Sequence, residues 1–533
     1  MYKVLVNDNI SQKGIDILQE AGIEVDFKPE QSREECLKTI HQYDGIILRS
    51  MTDLDKKALA KAENLKVIGR AGTGYDNIDL EEATKKGIFV FNTPTGNTIS
   101  AVEHTLGMML SLSRNIPQSN QALHNNLWNR KKYRGVELKA KTLGIIGLNR
   151  IGSRVAKRAQ AFGMDVIAND PYLAPEKAES LNVPLLSLKQ LLKKSDYITL
   201  HIPLTEETHH LLSEAEFKLM KKNARIINCA RGKNIDTKAL ARALAENEIA
   251  GAAIDVHEEE PVPKDNPLLN FEDRVIMTAH LGGTTIEAID NNSIAAAREV
   301  VSVLEGNLPE SPLNIPVMDP QEFKKAQPYI ELVAKLGKFM AEWKGDQRIK
   351  SVEVEYGGEI NNFKLKPITL SLIKSILDPI LDNRINLVNA MHIAEEREIA
   401  IKESKIQNET ELKNLVNLKV KSDKEEYSLS GTYLPNGYRI VRINDLRIDL
   451  ELDGEFIIVS YQDKPGVIGK ITSVLGKDKI NIANMQVGRK SPGGEAVVLI
   501  QIDSKPSEEV MQEIKNSLNE INANLKEINY LKI

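Results

Sequence analysis

The 533-residue chain has only two cysteines, Cys36 and Cys229. Two thiols cannot build a disulfide framework, so a stapled secreted scaffold is excluded and a reducing compartment, the cytoplasm, is expected. There is no excess of positive charge. The net charge is −5 and no basic stripe runs along the chain, which excludes an electrostatic footprint for nucleic acid. No apolar run approaches the length of a membrane span, and no charged-then-apolar leader precedes the first strand, so neither a membrane anchor nor a signal peptide is expected. What remains, 41% apolar and 27% charged residues, is the balance of a soluble globular protein. At this length three or four domains are expected.

The most informative stretch is Lys141 to Gly152, K-T-L-G-I-I-G-L-N-R-I-G. Thr142 to Ile146 is a short apolar run suited to a strand buried on both faces. Gly147 marks a sharp turn, and Ile151, Val155, Ala159 and Phe162 then recur at helical spacing. A strand, a Gly turn and a helix start present free N–H groups to a pyrophosphate. Gly147, Asn149, Arg150, Ile151 and Gly152 are therefore candidate cofactor-binding residues. Asp170, about 20 residues beyond the turn, is placed to accept the ribose hydroxyls and repel a 2′-phosphate, which favours NAD over NADP. Asn149 stands where a second Gly is usual. Asn tolerates left-handed dihedrals, so the turn is expected to form with a looser phosphate approach.

Taken in order, residues 1–97 alternate short strands (Lys3–Val6, Glu24–Phe27, Gly45–Leu48, Lys66–Ile68, Ile88–Phe91) with amphipathic helices, the pattern of a parallel sheet. Polar clusters at the strand ends (Arg49-Ser50-Met51-Thr52, Arg70 to Gly74, Thr93 to Asn97) suit an anionic small molecule. One long helix is expected from Ile99 to about Asn126, followed by Trp128 and a basic run. Strands and helices alternate again to residue 282, and a helix from Thr285 to Leu304 returns to the first unit. The fold expected is thus α/β: two doubly wound parallel-sheet domains, one of 1–97 with 283–316 and one of 98–282. Residues 317–452 change character, with helices Pro328–Trp343, Ile368–Leu381 and Asn386–Ala394 among strands, and show no chemistry-bearing cluster. Residues 453–533 read strand, helix, strand, strand, helix, strand, a ferredoxin-like βαββαβ plan.

Three residues end successive strands of the second unit: Arg231, Glu260 and His280. All should open on the ligand edge of the sheet. Removing hydride from a secondary alcohol requires a base for the hydroxyl proton, and imidazole suits neutral pH. A carboxylate orients such a ring, and a guanidinium binds a substrate carboxylate through paired hydrogen bonds. For His104, His201 and His257 a structural role is expected. No metal site is expected.

Ile68 to Asp79, Pro94 to Thr98, Asn228 to Gly232, Asp255 to Pro261 and His280 to Thr285 together resemble the D-2-hydroxyacid dehydrogenases, and the whole chain is similar to their long, four-domain members. The resemblance implies Arg231 as carboxylate binder, His280 as general base and Glu260 as its partner. It implies Asp255 beside the nicotinamide carboxamide, with Ala230, His280, Gly282 and Gly283 completing the NAD site. Arg49, Ser50, Arg70, Gly72 and Asn97 would line the substrate cleft, and Lys131 or Arg134 of a second chain would reach it near Trp128. The activity implied is oxidation of 3-phospho-D-glycerate to 3-phosphohydroxypyruvate, the first step of L-serine biosynthesis, by a homodimer or homotetramer. Residues 317–452 resemble the family's intervening domain. Residues 453–533 resemble an ACT domain, implying L-serine as effector near Tyr461, Asp463 and Asn481. Two other readings stand beside this one: a glyoxylate or hydroxypyruvate reductase of the same family, and a non-catalytic NAD-sensing regulator. Lys233 and Ala279 depart from the family's usual Gly and Pro.

Overall fold

The computed structural model describes every residue except 30, 317, 319, 382–384 and 408–411, so the expected boundary at 316–317 touches a residue outside the described ones. Five strands, β1 (Lys3–Val6), β2 (Glu24–Phe27), β3 (Gly45–Leu48), β4 (Val67–Arg70) and β5 (Phe89–Asn92), form a parallel sheet in the order β2-β1-β3-β4-β5. This is the doubly wound plan expected, with β4 and β5 running one to two residues later than the sequence suggested. One face packs Val4, Val6 and Phe91, with Ile15 of the helix Gln12–Glu20, against Ala296, Ala297, Val300 and Leu304. The latter four sit on the helix Ile286–Leu304, so the first sheet is sealed by chain made after the second.

That second sheet comprises β6 (Thr142–Ile146), β7 (Asp165–Asn169), β8 (Tyr197–Leu200), β9 (Arg225–Asn228), β10 (Gly251–Ile254) and β11 (Val275–Met277), in the order β11-β10-β9-β8-β6-β7. An isolated parallel bridge from Leu185 to Ala168 adds a further short edge outside β7. Strand order therefore reverses between β6 and β8, and ligands bind doubly wound sheets outside the carboxyl ends at such a switch point.

The long helix expected from Ile99 is two helices, Thr98–Arg114 and Ile116–His124, broken at Asn115 (φ 53°). Pro117 has no N–H to continue the first helix but fits the opening turn of the second. Pro328 shows the opposite outcome. The helix expected to begin there runs from Pro320 to Lys344 with the proline inside it. Ala326, Tyr329, Leu332, Val333, Leu336, Phe339, Met340 and Trp343 are all buried on one helical face, and that burial outweighs a proline cost of about 3 kcal/mol.

A mixed sheet follows: β12 (Ile349–Gly358), β13 (Ala400–Ile406), β14 (Asn414–Ser422), β15 (Glu426–Leu434), β16 (Gly437–Ile443) and β17 (Leu446–Glu451), ordered β13-β12-β14-β15-β16-β17. Two helices here are displaced from expectation, to Leu365–Leu377 and Ala390–Glu396. The last sheet is antiparallel, β18 (Glu455–Gln462), β19 (Ile482–Arg489), β20 (Glu495–Ile502) and β21 (Glu527–Lys532), ordered β19-β20-β18-β21, the ferredoxin-like arrangement expected. Successive side chains of β18 point to opposite faces. Ile457, Val459 and Tyr461 meet the sheet's own helices. Phe456 and Ile458, with Val497, Leu499 and Leu531, join the core of the preceding domain around Phe339 and Trp343. Phe339 meets Trp343 and Phe456 edge-on, each at 6.1 Å between centroids, and the Trp343 indole N–H donates to Glu527 at 3.1 Å. The third and fourth sheets thus share one core. Among the described residues no helix is long and apolar enough to cross a membrane.

Candidate active site

The Gly turn after β6 is built by close backbone approach. Gly147 has φ 90°, and a Cβ there would stand 2.6 Å from the His201 carbonyl; a Cβ on Gly152 would stand 2.1 Å from the Gly147 carbonyl. Position 149 has no such constraint and its φ is not positive, so the left-handed conformation expected for Asn149 is not what it supplies. Its side chain makes the turn instead. Asn149 Oδ1 accepts from the N–H groups of Ile151 (2.9 Å) and Gly152 (3.3 Å), and Nδ2 donates to the His201 carbonyl. Those N–H groups are among the ones a helix start offers to phosphate. Arg150 is exposed beside them. Asp170 is drawn to the turn as well, its carboxylate accepting from Leu148 N (2.9 Å) and Tyr172 N (3.1 Å). Asn149→Gly should free both N–H groups and tighten NAD binding by roughly three- to tenfold, since bonds to a charged acceptor are the stronger ones; the loss of the cap costs only a few tenths of a kcal/mol. Titration of intrinsic fluorescence with NAD measures it, and an unchanged or weaker dissociation constant would sink the idea.

His280 follows β11 at the same edge. Its Nδ1 lies 2.9 Å from Glu260 Oε2, while the other carboxylate oxygen accepts from His257 N at 2.9 Å. Burial pushes the Glu260 carboxyl upward, but the bonds from His280 and His257 outweigh it and hold it below the usual range. It is ionised at neutral pH, a fixed acceptor that leaves Nε2 as the free ring nitrogen of a half-exposed imidazole.

Asp255 at the end of β10 is buried, with a side chain 1% exposed. Oδ1 accepts from Thr278 Oγ1 (2.6 Å) and Leu281 N (2.7 Å) and lies 3.0 Å from His104 Nε2, which is also 3.3 Å from Thr278 Oγ1, and Oδ2 accepts from Gly282 N (2.9 Å). Burial alone would raise this carboxyl; the bonds from His104, Thr278 and Leu281 reverse that and drive it far below the carboxylate range. A nitrogen of His104, the sulfur of Cys229 and an oxygen of Asp255 lie within 4.8 Å of one another. Asp255 is saturated with N–H and O–H donors, and burial pushes the Cys229 thiol up to about 12. The donor set is that of a hydrogen-bond junction rather than a metal cage.

Arg231 follows β9 of the same sheet and reaches toward the first domain. Its Nε donates to Asp76 at 3.1 Å and Nη1 to the Ala230 carbonyl at 2.7 Å, so a carboxylate of the first domain steadies a guanidinium of the second. Arg70 is largely buried and its Nε has no partner among the described residues. Burial, with the nearby charges of Arg49 and Arg231, lowers its pKa to about 10. Arg49 is lowered by burial too, and its backbone N–H is held by the buried carboxylate of Asp8. Gly72 lies against Arg70, where a Cβ would collide with Nη1. Asn97 Oδ1 accepts from Thr73 Oγ1 at 2.8 Å, and its Nδ2 closely faces Gly283. Ser50 is exposed at the rim. Asp8 and Asp76 are not marked by the sequence, and His104 is marked there only for a structural role. Each works through a partner distant in the chain, which no local spacing reveals.

The last domain behaves differently. Tyr461 is buried within its own core, Asp463 is paired with Arg489 at 2.8 Å, and Asn481 Nδ2 donates to Asp503 at 2.7 Å. No hydrogen bond or ion pair joins Asn481 to Tyr461 or Asp463 among the described residues.

A doubly wound sheet with this turn, a paired imidazole at its edge and guanidinium groups opposite defines a 2-hydroxyacid dehydrogenase of the NAD-binding type. Residues 106–282 match the model of the D-isomer specific 2-hydroxyacid dehydrogenase NAD binding domain, 325–444 that of the D-3-phosphoglycerate dehydrogenase intervening domain, and 456–519 that of the ACT domain. The chain is 44% identical to the D-3-phosphoglycerate dehydrogenase of Methanocaldococcus jannaschii and 41% identical to that of Bacillus subtilis, in each case over 97% of this chain and 98% of the relative. The chain belongs to the D-3-phosphoglycerate dehydrogenase family. Among solved structures, D-lactate dehydrogenase from Aquifex aeolicus complexed with NAD and lactic acid is 31% identical with a TM-score of 0.51, covering 57% of this chain and 96% of that one. A glyoxylate reductase from Paecilomyes thermophila gives 29%, a TM-score of 0.54, 58% and 98%.

Proposed function

We propose that the protein oxidises 3-phospho-D-glycerate to 3-phosphohydroxypyruvate, the step that opens L-serine biosynthesis. The observation that carries this reading is the His280–Glu260 pair, 2.9 Å apart, beyond the carboxyl ends of the same sheet whose β9 leads into Arg231 and whose β6 leads into the Gly turn. His280 Nε2 accepts the C2 hydroxyl proton, Glu260 stabilises the imidazolium that results, and the oxygen left behind becomes the carbonyl as the C2–H bond breaks. NAD, when bound, would supply the acceptor for the electron pair of that C2–H bond. Gly147, Arg150, Ile151, Gly152 and Asp170 would hold its pyrophosphate and ribose, and Ala230, Asp255, Gly282 and Gly283 would border its nicotinamide. Arg231 binds the substrate carboxylate. The mutual repulsion of Arg49, Arg70 and Arg231 suits a substrate with more than one negative charge, which a phosphorylated acid is and lactate is not.

Steady-state rates with NAD across phosphorylated and plain 2-hydroxyacids test this reading. The expected result is a kcat/KM at least about a hundredfold higher for the 3-phosphorylated acid, as two lost charge-assisted bonds imply. Equal rates on plain acids would favour the glyoxylate or hydroxypyruvate reductase, and NAD binding without any turnover the regulator.

The regulatory reading belongs to the same proposal. A serine site near Tyr461, Asp463 and Asn481 is supported by the match to the ACT domain. Asn481 bonds to Asp503 and Asp463 to Arg489, so serine bound there would share or displace these contacts. Trp128, 79% exposed, and the exposed Lys131 and Arg134 supply a surface for a homodimer or homotetramer. Millimolar serine should lower the initial rate, and Asn481→Ala should abolish that response; a rate indifferent to both removes serine as effector. A cytoplasmic location is supported by Cys36 and Cys229 both being free thiols.

A further inference from the structure

His280 has an unusual backbone. Its φ is 56°, in the left-handed region that non-Gly residues enter uncommonly, His more readily than most, and its surroundings hold it there. The enforcement comes from one residue. His280 N donates to the Asp255 carbonyl at 2.9 Å, and the next two N–H groups, of Leu281 and Gly282, donate to the Asp255 carboxylate at 2.7 and 2.9 Å. Three consecutive N–H groups thus converge on Asp255. The carboxylate can hold this loop only if its own orientation is fixed, and two side chains fix it. Thr278 Oγ1 donates at 2.6 Å from the same β11 end, so it moves with the loop. His104 is the contact from outside, with Nε2 3.0 Å from Asp255 Oδ1 and 3.3 Å from Thr278 Oγ1. It lies on the helix Thr98–Arg114, which begins beside Asn97 in the cleft and is packed through Val102, Leu106 and Met109 into the core of the second sheet.

We propose that His104 is a positioning residue for proton transfer: its Nε2–H, shared between Asp255 Oδ1 and the Thr278 hydroxyl, fixes the Asp255 carboxylate, which fixes the Leu281 and Gly282 N–H groups and so sets where the His280 ring points. His104 itself touches neither proton nor hydride. Its ring needs only a proton on Nε2 to serve, so a side-chain amide that reaches the same oxygen can replace it. The inference rests on His280 being the base, and the two fail differently.

The test compares His104→Gln, which keeps a donor, with His104→Leu, which removes it at similar bulk. The expected result for His104→Leu is a kcat lowered about tenfold or more, the scale set by an ångström-sized misplacement of a reacting group, while KM for NAD and for the phosphorylated acid stays within about twofold. In the enzyme without substrate or cofactor, hydrogen–deuterium exchange of the peptide spanning residues 278–286 should accelerate in His104→Leu, and His104→Gln should restore both exchange and kcat. If His104→Leu does not accumulate folded, His104→Gln is set against His104→Glu, whose ionised carboxylate accepts but cannot donate. A kcat in the acceptor-only or apolar variant within twofold of His104→Gln, or unchanged loop exchange, overturns the proposal. Should His280→Asn keep its turnover, the reading of the base fails instead, whatever His104 does.

Discussion

His280→Asn should lower kcat by about 10²–10⁴-fold, the range a positioned general base contributes, while the dissociation constant for NAD stays within a few-fold. Asn cannot take up a proton, yet it is close in size, and the Asp255 contacts to the His280–Gly282 backbone do not depend on the ring. The loss belongs to the chemical step. Stopped-flow single turnovers separate it from product release, and fluorescence titration gives NAD affinity on the same sample. Turnover within tenfold of the wild type would end the assignment of His280 as base. Because the Glu260 carboxyl is held below its ordinary range by His280 and His257, it does not supply the acid limb of kcat/KM near neutrality. Glu260→Gln should therefore lower the rate across that range rather than remove a limb.

The second large effect lies far from the cleft. Trp343→Ala should destabilise the protein by about 3–5 kcal/mol, the cost of emptying a large aromatic site. Trp343 is 2% exposed, meets Phe339 and Tyr427 edge-on and loses its indole bond to Glu527 in the variant. Since Phe456 and Leu531 lie in the same core, the third and fourth sheets should lose hydrogen-exchange protection together, with a fall in their melting temperature of about 6–20 °C. Separate transitions for the two would contradict a shared core. For the same reason, removing residues 453–533 should yield an aggregating protein rather than a desensitised enzyme, because the cut bares Phe339 and Trp343.

Legibility in the sequence followed the physics of each element. The two parallel sheets were readable because strands buried on both faces are short uninterrupted apolar runs, and the Gly turn because steric demands at Gly147 and Gly152 leave no alternative. Arg231, Glu260 and His280 were readable because strand ends share an edge. The pairing of His280 with Glu260 was not a matter of spacing but of the loop that Asp255 holds. The third domain was poorly legible. β13 is an edge strand of alternating charge, mostly exposed, without the apolar signal that marks a strand. Pro328 looked like a helix start because local preference favours it there, and only long-range packing carries the helix through. Asn149 was recognised as a departure, but its role came from a side chain turned onto two N–H groups, which one-dimensional spacing does not contain.

The helix Ile286–Leu304 closing the first sheet carries a consequence for biosynthesis. Val4, Val6 and Phe91 share their core with Ile15 and Leu18 of the early helix Gln12–Glu20, but that core is completed only when Ala296, Val300 and Leu304 have been made. At typical translation speeds, the roughly 190 residues between the two segments leave the ribosome over some 10–40 s. The first hundred residues therefore emerge earliest and mature late. The nascent chain carries a partly uncovered apolar sheet face through that interval, while the cofactor lobe behind it can already close.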